Sequence, residues 1–342
     1  MDKAVMAPDG KPLNVLNLAK DGLKLDLMDW GASWLSCRVP MKDGAEREVL
    51  LGCADFEGWF AQKSFLNTTV GRYANRIGKA RVQRDGKTWE LVPNDGENQL
   101  HGGFTSFSLR RWDILDSSAE HVCFGITSPD GDQGFPGNLK VKLIYRLMPG
   151  LKISMACEAE VDAASPVGLT NHAYFNLDGL KGDIREHRLM LAASRYTPVD
   201  EGMIPVSSLA ELAGTSFDFR EARAIGSRFM EDEQQAIAKG YDHAFLLDSP
   251  VMEALAAELV SGDGRLAMQM FTDSPAMQFY SGNHLAGTPS REGGLYVAHE
   301  GVCLEPGFLP DSPNHPEWPQ PDCWLQPGEI YRQNAIWAFL PR

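Results

Sequence analysis

Apolar and polar residues alternate with a period of two along much of the chain. Leu151, Ile153, Met155, Cys157, Ala159 and Val161 take alternate positions, with Lys152, Ser154, Ala156, Glu158 and Glu160 between them. Val141, Leu143, Tyr145 and Leu147 repeat the pattern upstream, as do Leu23, Leu25 and Leu27 near the start and Val122, Phe124 and Ile126 further on. Successive side chains of a strand point to opposite faces, so each run predicts a half-buried antiparallel strand. Turn clusters such as Pro129-Asp130-Gly131-Asp132 and Ser261-Gly262-Asp263-Gly264 separate the runs. Helical signals are few and short, the best being Phe229 to Lys239 ahead of Gly240. Strand-type segments continue to Phe339 with no repeat, low-complexity tract or polar linker. The pattern predicts one all-β domain of stacked sheets over residues 1–342.

Composition narrows the class. Hydrophobic residues make up 43% of 342, ordinary for a globular chain and too many for a disordered one. With 33 Gly and 21 Pro the chain is turn-rich, which argues against a long helical bundle. A formal charge of −14 without a basic cluster disfavours nucleic acid and anionic lipid as partners. No apolar run approaches the roughly 18 residues of a membrane span. The first ten residues lack the basic and apolar regions of a signal peptide. Six cysteines (Cys37, Cys53, Cys123, Cys157, Cys303 and Cys323) form no C-x-x-C pair and read as reduced, mostly buried thiols. A soluble cytoplasmic protein is the expectation.

Histidine placement is the first chemical signal. His101 lies in Asn98-Gln99-Leu100-His101-Gly102-Gly103, and His172 in Thr170-Asn171-His172-Ala173-Tyr174-Phe175-Asn176-Leu177. On a strand, Thr170, His172 and Tyr174 would share a face, although a core histidine satisfied by its neighbours is an equal reading. In Gly301-Val302-Cys303-Leu304-Glu305-Pro306, alternation sends Val302 and Leu304 to the core and Cys303 and Glu305 to the other side, with Pro306 ending the strand. The loop Pro310 to Pro319 that follows is rigid and aromatic-bearing, which suits a site rim. Asn75 and Arg76 in Gly71-Arg72-Tyr73-Ala74-Asn75-Arg76, Asp242 beside His243, and Gln278 with Tyr280 add the donors, acceptors and rings that sugar sites use. Residue type alone leaves open whether they converge. No metal-ligand spacing, phosphate loop, dinucleotide fingerprint or G-x-S-x-G elbow is present, so metal, nucleotide and serine-nucleophile chemistry are not expected.

These segments, in this order, resemble the aldose 1-epimerases, and among them the galactose mutarotases. The likeness rests on Val70 to Ile77, Asn98 to Gly103, Leu169 to Leu177, Tyr241-Asp242-His243, Gln278 to Asn283 and Cys303-Leu304-Glu305, with Pro310-Asp311 and Pro327-Gly328-Glu329 also matching. Two departures stand out: Gly168 replaces a small polar residue, and Pro306-Gly307-Phe308-Leu309 replaces a polar stretch. The resemblance implies a large antiparallel β-sandwich, the galactose mutarotase-like supersandwich, with few short helices. It implies interconversion of the α- and β-anomers of free galactose- or glucose-type aldoses, with a monosaccharide as partner, no cofactor, and a monomer or weak homodimer. By the same resemblance Glu305 is the general base and His172 the general acid, while Asn75, Arg76, His101, Tyr174, Asp242 and Gln278 bind the sugar. A His is mostly neutral at pH 7, and a nearby Glu305 would favour the charged form an acid needs. A non-catalytic sugar-binding or regulatory protein is the alternative. A glycoside hydrolase is a third reading, but it usually needs two carboxylates flanking the bond.

Overall fold

The computed structural model describes residues 5–180, 182–206 and 208–342. Its backbone is a nine-stranded antiparallel sheet in the spatial order Asp113–Ser117, His121–Ser128, Leu139–Met148, Lys152–Val161, Tyr331–Pro341, Leu266–Thr272, Ala257–Val260, Arg188–Leu191 and Arg223–Ala224. The alternation read from the sequence is the register of this sheet. Tyr145 faces Met155 and Leu143 faces Cys157, and every apolar position of those runs is buried except the partly covered Leu151.

Two further sheets complete the sandwich. A four-stranded sheet runs Val15–Lys20, Leu23–Met28, Ser33–Pro40, Glu46–Glu48. A five-stranded one runs Ala210–Glu211, Ala193–Tyr196, Asp242–Leu247, Ala276–Tyr280, Cys303–Gly307. One continuous core joins all three, taking Leu25 and Trp34 from the four-stranded sheet, Tyr145 and Trp337 from the nine-stranded one, and Phe245 and Phe279 from the five-stranded one. Trp34 sits at its centre, edge-on to Tyr145 at 5.3 Å and to Trp337 at 5.0 Å.

Helix is sparse, as expected, but its placement differs. The predicted helix over 229–239 shrinks to Glu233–Ala238, because Asp232 caps it by accepting from the Gln235 amide and Lys239 ends it in the left-handed region. An unpredicted helix, Phe56–Ala61, starts where the Asp55 carboxylate accepts from the Gly58 amide. Pro306 does not end its strand: Cys303–Gly307 continues through it. That strand lies at the sheet edge, where a missing N–H breaks no ladder bond. No helix among the described residues is long and apolar enough to cross a membrane.

Trp337 is fully buried between sheets, so Trp337→Ala should lower unfolding stability by about 3–5 kcal/mol. Urea unfolding followed by circular dichroism measures this. A loss under about 1 kcal/mol, the size of a conservative core trim, would mean that the sheets do not share their core at this residue.

Candidate active site

The site is built at one end of the five-stranded sheet. In the pairing of Ala276–Tyr280 with Cys303–Gly307, Gln278 lies opposite Glu305 and Phe279 opposite Leu304. Leu304 and Val302 enter the core, so Glu305 and Cys303 face the other way; Glu305 lines a cleft of about 500 Å³, and Cys303 is buried behind that lining. Asp242, at the start of the neighbouring strand, faces the same cleft, and its Oδ1 accepts from Gln278 Nε2 at 2.6 Å.

His172 comes from a neighbouring segment, bridged to the start of the Glu305 strand through Phe175 and Val302. It follows the short strand Thr170–Asn171, which pairs with Thr69–Val70, and its amide donates to the Thr68 carbonyl at 2.9 Å. Its ring stacks on Tyr174 with centroids 5.0 Å apart and meets the His101 ring edge-on at 5.3 Å. His172 Nε2 lies 3.8 Å from Glu305 Oε1, and its Nδ1 lies 3.4 Å from Cys303 Sγ. His101 Nδ1 accepts from the Asn75 amide at 3.1 Å, which leaves Nε2 as the protonated nitrogen of a neutral ring. Gly102 is required beside it, since a Cβ there would fall 2.1 Å from the Gly71 carbonyl oxygen. Arg76 is held by Asp95, its Nε donating to Oδ2 at 2.7 Å, and its guanidinium reaches to 4.0 Å from Asp242 Oδ2.

Burial controls the charges here. Desolvation disfavours ionised forms, so it lowers histidines and raises acids. His172 is brought down to about 4 by burial, and His101 is pushed well below its ordinary value by burial and then by the neighbouring His172 and Arg76. Glu305 is raised well above the usual carboxylate range by burial and then by Asp242. Asp242 is raised as well, with Arg76 opposing. The expectation that Glu305 would hold His172 charged is therefore corrected. Although the carboxylate lies 3.8 Å away, burial outweighs any support it gives to the imidazolium.

Asn75, Arg76, His101, His172, Tyr174, Asp242 and Glu305 all line this cleft. Gln278 stands behind it and reaches it through Asp242. The loop Pro310 to Pro319 is not the rim. Asp311 instead braces the Arg76 segment from behind, donating from its amide to the Arg76 carbonyl at 2.8 Å and accepting from the Gly78 amide at 3.0 Å. Arg72 is structural, buried against the Phe135 and Gly137 carbonyls, and His243 packs in the core against Phe217.

The rim comes from two segments that carry no sequence signal. One runs from Ala61 to Phe65 behind the Phe56–Ala61 helix, the other from Ala286 to Pro289. Ser64 Oγ and Thr288 Oγ1, 2.6 Å apart, tie them together, and Tyr174 Oη donates to the Ser64 carbonyl at 2.9 Å. Tyr280 and His284 also line the cleft. Period two would have placed Tyr280 on the Gln278 side. One donor atom each from His172, Cys303 and Glu305 lie within 4.8 Å of one another, the only cluster among the described residues spaced to hold a metal ion.

The family model for aldose 1-epimerase matches residues 14–336. The chain belongs to the aldose 1-epimerase family. It is 51% identical to the aldose 1-epimerase of Escherichia coli K12 over 98% of this chain and 97% of that one. It is 35% identical to rat galactose mutarotase over 96% and 95%. Among solved structures, the GalM/aldose epimerase homologue of C. elegans superposes with a TM-score of 0.88 at 26% identity, covering 96% of this chain and 99% of that one. These relatives are named as enzymes acting on carbohydrates, and a non-catalytic role is not favoured. Within this chain the two departures from the family pattern meet: a Cβ on Gly168 would stand 3.2 Å from Tyr73 Cε2 and 3.4 Å from Phe308 Cδ2, so the missing side chain accommodates both rings.

Tyr174→Phe removes the hydroxyl that holds Ser64 and leaves the stacked ring. A hydrogen bond worth about 0.5–1.5 kcal/mol predicts a KM for sugar raised about 2- to 10-fold with kcat little changed. Steady-state polarimetry reads both. An equal fall in kcat and kcat/KM would show that the hydroxyl acts in the transition state instead.

Proposed function

We propose that the protein interconverts the α- and β-anomers of free aldoses by opening and reclosing the sugar ring, with Glu305 as base and His172 as acid. What carries the reading is the buried pair itself: an imidazole nitrogen and a carboxylate oxygen 3.8 Å apart, both lining one cleft.

Ring opening takes a proton from the anomeric hydroxyl and gives one to the ring oxygen, so one acid and one base must act on the same sugar. Glu305 accepts the hydroxyl proton as the C1–O5 bond breaks, and His172 Nε2 gives a proton to O5. The open-chain aldehyde turns about C1–C2 and the steps run in reverse on its other face. No electron is transferred. The reactive form carries the pair's single proton on His172, a redistribution helped when sugar hydroxyls donate to the Glu305 carboxylate. Arg76 and the Nε2–H of His101 donate to sugar oxygens, Asn75 and Tyr174 shape the wall, and Asp242, steadied by Gln278, accepts from hydroxyls. A monosaccharide in an aqueous compartment is the partner this site suits.

Polarimetry of freshly dissolved α-glucose and α-galactose, with and without protein, tests the activity. Glu305→Gln and His172→Asn should each lower kcat by about 10²–10⁴-fold, the contribution of positioned proton transfer. Near wild-type rates in either variant would remove that residue from the chemistry.

The pH profile follows from the charge shifts. The active form holds one proton on the pair. Acid adds a second as the solution falls through about 4, the value to which His172 is lowered, and alkali removes the last through the raised value of Glu305. The expected kcat/KM profile is a bell whose acid limb disappears in His172→Asn. A profile that rises through a single ionisation with no alkaline fall would overturn the one-proton assignment.

A further inference from the structure

Cys303 takes no part in that reaction, yet it lies fully buried directly behind the cleft lining, packed with Tyr174 and Tyr280, with Sγ 3.4 Å from His172 Nδ1. Alternation along Cys303–Gly307 puts it on the same face as Glu305 two residues on, and donor atoms of all three side chains lie within 4.8 Å of one another. A tetrahedral zinc site, with Zn–N and Zn–O near 2.0–2.1 Å and Zn–S near 2.3 Å, spaces its ligand atoms about 3.3–3.6 Å apart. The imidazole supplies one nitrogen to the metal: Sγ lies 3.4 Å from Nδ1 and Glu305 Oε1 lies 3.8 Å from Nε2, so one of these two ligands must move round the ring, from a separation of at most 4.8 Å, to share a nitrogen with the other. Glu305 and His172 line the cleft, so the fourth position opens on it.

We propose that His172, Cys303 and Glu305 form an inhibitory site for a soft divalent cation of the Zn²⁺ type, whose occupancy excludes the sugar. Imidazole, thiolate and carboxylate suit such a cation in softness and in charge. Zinc displaces the thiol proton and the carboxyl proton to solvent, and the dication with its two anions leaves a buried complex of zero net charge. Asp242, close enough to raise Glu305, adds attraction, and Arg76, 4.0 Å from Asp242, opposes it. Bound zinc holds the carboxylate that would take the hydroxyl proton and fills the floor where the sugar's reacting end lies. Magnesium and calcium require more oxygen ligands than this set supplies. The inhibition rests on the reading in Proposed function, whereas the metal site does not.

Two measurements on the intact protein separate them. In polarimetry, Zn²⁺ should inhibit competitively with sugar and be reversed by EDTA, while Mg²⁺ and Ca²⁺ have no effect. Loss of even an outer-shell partner costs a zinc site about 10–100-fold in affinity, so Cys303→Ser and Cys303→Ala should each raise the inhibitory zinc concentration at least about tenfold, each compared with its own zinc-free rate. In absorption spectroscopy, Co²⁺ should give a thiolate-to-cobalt charge-transfer band in the wild type that is absent from both variants and suppressed by galactose. The galactose arm needs no variant, should either fail to fold. A cobalt band without any mutarotation would uphold the metal site and reject the anomerase reading. Absence of the band in the wild type, its persistence without Cys303, or zinc inhibition unchanged in both variants would overturn the proposal.

Discussion

The edge strand Cys303–Gly307 lies against Ala276–Tyr280 with Gln278 facing Glu305, and the core beneath holds that register because Val302, Leu304 and Phe279 are packed into it. Because the side-chain period of a strand is two, a slip by one residue would turn Glu305 into an apolar core and Leu304 into the cleft. Pro306 strengthens the placement. Its carbonyl accepts from Gln333 Nε2 at 2.8 Å, and Gln333 belongs to the long strand Tyr331–Pro341 of the nine-stranded sheet. The carboxylate is thus positioned by the sandwich as a whole.

The second constraint is dryness. Glu305 and His172 are each at most 6% exposed, so neither carries its charge as it would in water. The same low-dielectric surroundings push the carboxyl up and the imidazole down, which reverses the order in which the two ionise in water. Moving a proton from one group to the other leaves the charge of the pair unchanged, so the transfer requires no further charge to be buried. Arg76, fixed by Asp95 in front and carried on a segment braced by Asp311 behind, adds a directed positive group without neutralising the pair.

Much of this was legible in the sequence, for identifiable reasons. Alternating runs such as Leu139–Met148 report their own burial, because the sheet has one apolar face and the pleat repeats every second residue. The orientation of Cys303 and Glu305 followed from that rule as well. What was missed depends on contacts distant in the chain. The Ala61 to Phe65 rim is aimed by a helix of one and a half turns whose start is set by Asp55, and nothing periodic marks it. Pro306 was misread because proline stops an internal strand but not an edge one. The loop after Pro310 was correctly a loop, but composition does not say which side of a sheet a loop covers. The order of the two ionisations came out reversed because the distance between charges was considered without the solvent they lose.

The hydroxyl tie between Ser64 and Thr288 bears on how sugars come and go. Two segments lining the cleft are joined by groups the protein supplies to itself, so a bound sugar does not have to bring them together. Less affinity is then diverted into ordering loops. The two anomers differ at a single carbon, and each can be reactant or product. A rim joined in the same way whichever anomer arrives serves both directions of traffic alike, and release then meets no step that capture does not.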